Sequence, residues 1–458
     1  MVQKLSQIII KKKKGEKQMS KLLTAIVLVG FMVLSLAIHP SCAGEIDILL
    51  QKLVEKGILT TGEAQQIGTE TKEQVRKEIA EGKYSSLPAW VQNTKLKGDF
   101  RLRYQFDHAK KLAPGTQSTN DIHRARMRLR LSLESKVNEK LLVGIGLATG
   151  LNAASDSEAN STNKDTARSP NQTLGTGFAK KPISLDYAFA QYMPNSWVTL
   201  IGGKFRNPLW EPGDLIWDTD INPEGGAVKL NKKFGSKTEL FINSGVLTID
   251  EGGFGADPTM YVVKPGVNQL ITNNIAVKGA FSYYGFSGVK GKKLPGTVGT
   301  NSNTGGSLIY NYKIITPAVE ISFKDPFKPL NVSFLDVQYL ALFGEYVANI
   351  DSSVTEDNTG YMFGFKFGNE KIEKWADWQC RYNYAMLGKD SILDILPDSD
   401  RYGGKTGMRS HELMFDWGLG KNTWLGLDYY YGWQLPGNFK QTQTKPASVF
   451  QVDWNMKF

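Results

Sequence analysis

V-F-Q-V-D-W-N-M-K-F occupies positions 449–458. Phe450, Val452, Trp454, Met456 and Phe458 fall on one parity, and Gln451, Asp453, Asn455 and Lys457 on the other. Successive side chains of a β-strand point to opposite faces, so one face of this strand is apolar and aromatic while the other is polar and charged. A soluble sandwich strand has the same alternation but does not usually stop on an aromatic residue.

The alternation begins again near Lys95 and runs through the rest of the chain. Leu96, Phe100, Leu102, Tyr104 and Phe106 alternate with Lys97, Asp99, Arg101, Arg103 and Gln105. In the next strand Ala125, Met127, Leu129, Leu131 and Leu133 alternate with Arg124, Arg126, Arg128, Arg130 and Ser132. An arginine on the lipid face near the bilayer midplane costs about 2–4 kcal/mol. Four would cost roughly 8–16 kcal/mol, as much as the whole stability of a typical domain. In a membrane strand these arginines must face the interior. The same parity places Ile183, Leu185, Tyr187 and Phe189 on the outer face, and likewise Tyr361 to Phe367, Trp378 to Tyr384, Leu413 to Leu419 and Leu425 to Trp433 on alternate positions. Short turns near 137–139, 194–196, 235–236 and 421–423 separate long polar loops at 107–121, 150–182, 207–224, 249–259, 286–306, 351–358, 391–407 and 436–446. Short turns on one side and long loops on the other are the pattern of a transmembrane barrel. The expected fold is all-β, an antiparallel transmembrane β-barrel of sixteen strands over 94–458, least clear in 260–350.

The N-terminal part is different. Lys11 to Lys14, Lys17 and Lys21 precede the uncharged apolar run 22–38, and Ser41-Cys42-Ala43 offers a cleavage site before Gly44. Residues 1–43 therefore read as a signal peptide, with Met19 an alternative start. Residues 44–88 read as a short periplasmic helical segment. Ile46, Leu49, Leu50 and Leu53 make one helix face, Gly57 suits its end, and Thr60 to Glu63 has the spacing of a capping box before a second helix carrying Ile67, Val75 and Ile79. The stripe is too thin to fold alone, so it packs on a partner copy or the barrel, or serves as a spacer.

Composition excludes several classes. Mean hydropathy is −0.30, which rules out a helical membrane bundle but suits a barrel with a polar interior. Seven Lys and one Glu leave with residues 1–43, so the net charge of +10 falls to +4 and gives no argument for a nucleic-acid partner. Cys380 is then the remaining cysteine and no intrachain disulfide is expected. No metal-ligand spacing and no nucleotide motif appears, so no cofactor is expected. His108, His123 and His411 are the remaining histidines, and Ser410-His411 alone is a weak basis for hydrolysis, so the chain does not read as an enzyme.

Five stretches carry a resemblance: L-L-Q-K-L-V-E-K-G-I-L-T from Leu49, K-G-D-F-R-L-R-Y from Lys97, R-A-R-M-R-L-R-L from Arg124, G-G-K-F-R-N-P-L-W from Gly202 leading into L-I-W-D-T-D-I-N-P-E-G-G, and F-G-E-Y-V-A-N from Phe343. With the terminal Phe458, they make the chain similar to the bacterial putative-porin family, which belongs with sixteen-stranded general and phosphate-selective porins. The resemblance implies an outer-membrane diffusion channel for small hydrophilic solutes or ions, embedded in outer-membrane lipid and assembled as a homotrimer. It implies that Trp454, Met456 and Phe458 are read by the barrel assembly machinery. The inward parity collects a basic wall of Lys97, Arg101, Arg103, Arg124, Arg126, Arg128, Arg130, Lys204, Arg206 and Lys229, and the resemblance implies that the loop at 207–224 folds inward, bringing Glu211, Asp214, Asp218, Asp220 and Glu224 toward it. Such a wall suits anionic solutes, or else merely neutralises the loop acids. A structural tether through 45–82 and a barrel hydrolase are the alternatives.

Overall fold

The computed structural model describes residues 45–80, 93–113, 116–150, 167–175, 177–251, 256–328, 337–436 and 446–458. The signal peptide assigned to 1–43 lies outside the described residues. The chain divides into two compact units, Met1–Leu87 and Pro88–Phe458.

The first unit holds helices α1 (Glu45–Glu55) and α2 (Thr61–Ala80). Thr60 caps α2. Its backbone N–H donates to Glu63 Oε2 at 2.8 Å, and the Glu63 N–H donates back to Thr60 Oγ1 at 3.3 Å. Two orphan donors of the helix start are thereby satisfied. Leu50 is buried against Gly68. Ile67, expected on the packed stripe, is exposed, as is Ile58. The inner face of α2 is instead Ala64, Gly68 and Thr71, small residues spaced i, i+4, i+7 that let Leu50 approach.

The second unit contains sixteen long strands. They are β1 (Thr94–Ala113), β2 (Thr116–Lys136), β3 (Leu141–Thr149), β4 (Ile183–Asn195), β5 (Val198–Lys204), β6 (Glu224–Phe234), β7 (Thr238–Thr248) and β8 (Thr259–Leu270). They continue as β9 (Ile275–Ser287), β10 (Lys313–Lys324), β11 (Tyr339–Asn349), β12 (Thr359–Gly368), β13 (Trp378–Leu387), β14 (Met408–Gly420), β15 (Thr423–Gln434) and β16 (Ala447–Lys457). Each pairs antiparallel with the next, and β1 pairs with β16, which closes the barrel. The expected count of sixteen is borne out. Closure removes the edge strands of the barrel, although β2 extends beyond β3, which it pairs only over residues 130–136.

Two departures from the sequence reading have clear causes. Residues 107–121, expected as a loop, largely continue the β1–β2 ladder. Arg124 pairs with Asp107 on one face of this extension, and His108 Nδ1 lies 2.6 Å from Asp121 Oδ1 on the other. The second departure is a β-bulge in β4. Gly146 pairs with Tyr187, yet the adjacent Leu147 pairs with Leu185, leaving Asp186 as an extra residue. Ile183 and Leu185 stay outside, but Tyr187, only 2% exposed, and Phe189 turn inward. The neighbouring strand makes room for them. A Cβ at Gly144 would overlap the Phe189 ring and one at Gly146 the Tyr187 ring.

The interior has two unlike sides. From β6 to β14 the inner wall carries an apolar patch, with Met260, Val262, Tyr284, Phe343 and Met362 among its side chains, interspersed with buried polar groups such as Lys264, Glu345 and Glu412. Onto it fold three long connections, through Leu215, Ile216 and Trp217 of loop 205–223, Val289 and Leu294 of loop 288–312, and Ile392 and Leu393 of loop 388–407. Burial of this apolar surface is what draws the loops in, at roughly 25 cal/mol per Å² removed from water. The inner faces of β16, β1 and β2 are polar.

Candidate functional site

The polar side is built on the β1–β2 register. Arg101 stands opposite Arg128 and Arg103 opposite Arg126, so like charges face each other directly. That arrangement repels unless anions are interleaved. Asp99 accepts from Arg128 at 3.0 Å and from Arg130 at 2.8 Å. Asp453, brought alongside by β16, accepts two parallel bonds from Arg103, both at 2.7 Å, and lies 3.4 Å from Arg101. Asp107 pairs with Arg124. Arg126 differs from the rest. It donates to Gln105 Oε1 at 3.0 Å and to the Asn171 carbonyl at 3.2 Å, with no ion pair among the described residues.

Six of the ten basic residues expected on one wall are thus brought together. The other four are not. Lys97 sits low on the same face, half exposed, and pairs with Glu134 at 2.9 Å. Lys229 is on the inner parity of β6, opposite Thr199 and Asn243, in another sector of the barrel. Lys204 shares its parity with the exposed Gly202 rather than with Ile201 of the core, and its Nζ bonds Glu224 and the Asn222 carbonyl. Arg206 lies over the Tyr187 ring, 5.1 Å from its centroid. The Asp186 bulge that turned Tyr187 inward created that seat for Arg206.

The loop acids are anchors. Glu211 pairs with Lys264 of β8, which is 0% exposed, and also accepts from the Tyr284 hydroxyl at 3.1 Å. Asp214 accepts from Arg401 of loop 388–407 at 2.8 Å. Asp218 accepts from the backbone N–H of Ser399 and of Asp220, each at 2.9 Å. Asp220 reaches the wall, 3.1 Å from Arg130 and 3.6 Å from Arg128. Glu224 is not a loop residue: it opens β6 and faces Lys204 across the β5–β6 pair. Between these anchors Gly213 presses on the wall so closely that a Cβ would overlap the Met362 side chain. Loop 205–223 is therefore strung through the interior from β8 to β2.

Sequence reasoning missed two buried cations that hold the loops together. Arg401 bonds Asp214, Glu412 at 2.6 Å and Ser410 Oγ at 3.0 Å. Arg168, equally buried, donates to the carbonyls of Asp394, Pro397 and Gly404 at 3.0, 3.2 and 3.2 Å, which joins loop 150–182 to loop 388–407. The available signal was the apolar Leu215-Ile216-Trp217 run inside a long loop, which has to be buried somewhere.

The loop carboxylates sit in contrasting environments. Burial pushes Asp398 well above the usual carboxylate range, and Asp214, Asp218 and Asp400 add to it. Burial would raise Asp400 as well, but Arg103, 2.9 Å away, outweighs it and holds Asp400 at about 2. Ser410 and His411 do not form a catalytic pair. Ser410 points inward to Arg401, whereas His411 lies outside with its Nδ1 2.8 Å from the Tyr382 hydroxyl. Among the described residues no cluster could hold a metal ion. At the closing seam Trp454 donates from Nε1 to Thr423 Oγ1 at 3.1 Å, Met456 pairs with Phe100, and Phe458 exchanges backbone hydrogen bonds with Gly98 at 2.8 and 3.0 Å.

A family model described as "Putative porin" matches residues 105–313 and 312–458. No curated protein sequence matches the chain. Three solved structures are similar over most of their length. A triple mutant of the Rhodopseudomonas blastica porin is 10% identical, covering 80% of this chain and 100% of its own, with a TM-score of 0.39. The outer membrane channel DcaP of Acinetobacter baumannii is 13% identical, covering 79% and 97%, with a TM-score of 0.42. OmpT of Vibrio cholerae, in its trimer form, is 10% identical, covering 80% and 99%, with a TM-score of 0.41.

Proposed function

Because the chain belongs to the "Putative porin" family, we propose that it is a passive diffusion channel of the outer membrane for small hydrophilic solutes, with a weak preference for anions. The observation that carries this reading is the loop 205–223, held across the interior between Lys264 and the Arg128–Arg130 pair. A loop fixed at both ends narrows a pore without closing it by motion, which suits diffusion rather than gated transport.

The anion preference is weak because most of the basic wall is already neutralised. Arg101, Arg103, Arg124, Arg128 and Arg130 each have a carboxylate partner. Arg126, 7% exposed, has no carboxylate partner among the described residues, so it is the wall residue whose guanidinium is left for a passing carboxylate or phosphate. The test is single-channel recording in a planar bilayer under a KCl gradient. A steady conductance with a reversal potential of anion-preferring sign is expected, and Arg126→Ser should shift that potential toward cations. No conductance from folded protein would overturn the channel reading, and cation preference in the wild type would assign selection to the loop acids.

The reading extends to a cleaved signal peptide, a homotrimer in outer-membrane lipid, and recognition of Trp454, Met456 and Phe458 by the barrel assembly machinery. A second role, tethering through the first unit, draws support from Ile58, which stays 64% exposed in the helical hairpin. Ser410 and His411 on opposite faces of β14 speak against a hydrolase.

A further inference from the structure

The outer surface of the barrel carries a cation that the channel reading does not use. Arg409 of β14 shares its parity with His411 and the exposed Leu413, while Ser410 and Glu412 between them are fully buried inside. Arg409 therefore faces outward, where a guanidinium costs about 2–4 kcal/mol at the bilayer midplane and about 0–1 kcal/mol near an interface. It stands at the interface, one residue into the strand, at the end of the barrel where the long loops emerge. That end is the cell-exterior side of outer-membrane barrels, so the lipid it meets is in the outer leaflet.

Its surroundings are aromatic and lack a carboxylate. The guanidinium carbon lies 4.7 Å over the Trp433 ring, the buried Nε has no hydrogen-bond partner, and the group hydrogen-bonds the Tyr384 side chain. By contrast Lys313, on the outward parity of β10 at the same rim, is paired with Asp351 at 3.5 Å. Among the described residues Arg409 has no ion pair. Beside it His411 stacks on Trp433 at 5.7 Å and meets Tyr384 at 5.0 Å, and Tyr431 packs on Trp433 at 5.6 Å.

The strand register extends this patch around the barrel. His411 pairs with Tyr431, Tyr431 with Ser448, and Ser448 with His108. His411 and His108 thus stand at the two ends of one row that crosses β14, β15, β16 and β1, and His123 stacks on Phe106 at 4.6 Å one row below. The band combines a planar cation, imidazoles and aromatic faces, all turned outward, and its one carboxylate among the residues named, Asp121, is paired with His108 at the end far from Arg409.

We infer that this band, centred on Arg409, is a binding site for an outer-leaflet lipid whose head group carries phosphate on a sugar. The guanidinium has a fork geometry that matches a phosphate, and its stacking on Trp433 holds it ready with little further loss of freedom. Tyr384, Tyr431 and Trp433 supply the flat apolar faces and polar tips on which a sugar ring rests. The inference rests on the barrel spanning the outer membrane with its long loops outside, and it adds a bound lipid to the diffusion channel.

The test inserts full-length protein into phosphatidylcholine vesicles containing a minor fraction of lipid A, a phosphorylated glucosamine lipid, and counts retained lipid by native mass spectrometry after detergent release. Wild-type protein should keep lipid A in preference to phosphatidylcholine and to its dephosphorylated form. Arg409→Gln should lower retention about tenfold or more, as loss of one charge-assisted contact implies. Lys232→Gln, which removes an outward-parity cation at the short-turn end, should leave it unchanged. Equal retention by Arg409→Gln, or equal loss in both variants, would overturn the site. Should Arg409→Gln fail to fold, Trp433→Leu replaces it, with severalfold weaker retention expected and unchanged retention overturning the site. Failure of wild-type protein to insert at all would strike the membrane reading instead, so the two failures are distinct.

Discussion

Arg103 and Asp453 clasp each other across the seam where the first barrel strand meets the last. They are direct register partners, and the Arg103 fork donates to both carboxylate oxygens at 2.7 Å. The pair lies inside the barrel, and Arg103 is 5% exposed. Removing one member of a buried ion pair leaves the other uncompensated and costs about 3–5 kcal/mol. Asp400 also holds Arg103, so Asp453→Ala should cost about 3 kcal/mol, at the low end of that range. Urea unfolding measures it, and an unchanged midpoint would show that the seam does not depend on this pair.

Lys264→Met leaves the buried Glu211 carboxylate with the Tyr284 hydroxyl but without its cation, and should release the β8 end of loop 205–223. The expected result is a noisier, larger single-channel current with the fold intact by circular dichroism. Gly213→Val should act alike, since its side chain has to displace Met362. If both variants conduct as the wild type does, the loop does not set the pore width.

Asp398 gives a pH signature. Burial, then Asp214, Asp218 and Asp400, raise its folded value above the ordinary carboxylate range. The folded state therefore binds the proton more tightly than the unfolded chain. The resulting stabilisation is fully present below the unfolded pKa and is lost as pH rises through the raised folded value. Asp398→Asn should flatten that part of the stability profile. Unfolding midpoints from mildly acidic to neutral pH test this, and parallel profiles for the two proteins would contradict it.

Deleting 45–82 separates conduction from tethering. Conductance of the remaining barrel should be unchanged, while cells carrying the deletion should leak periplasmic protein if the helical hairpin tethers. An intact envelope in those cells would leave the hairpin without that role.

The outward faces and the arginine wall are readable in sequence because both obey one rule, the cost of placing charge in lipid. The rule fails where both faces of a strand are apolar. In β8, Met260 and Val262 point inward while Tyr261 and Val263 point outward, so the alternation disappears and Lys264 is hidden within it. The inner apolar residues answer to the loops packed on them, and those contacts are remote in sequence. The Asp186 bulge is equally silent, since one inserted residue reverses parity without changing composition. Arg401 and Arg168 lie in aperiodic loops, where only the folded geometry reveals their partners.

The apolar core shared by loops 205–223, 288–312 and 388–407 also orders events in time. Strand hairpins join near neighbours, whereas this core joins Phe205 to Met408 and gains nothing until the intervening strands are in place. Non-local contacts reward the chain only after the entropy of closing long loops has been met. The barrel is thus expected to close first around a wide, wet bore, and the loops to dock last. Narrowing of the bore becomes the final step of assembly, and its loss the first step when the protein is heated.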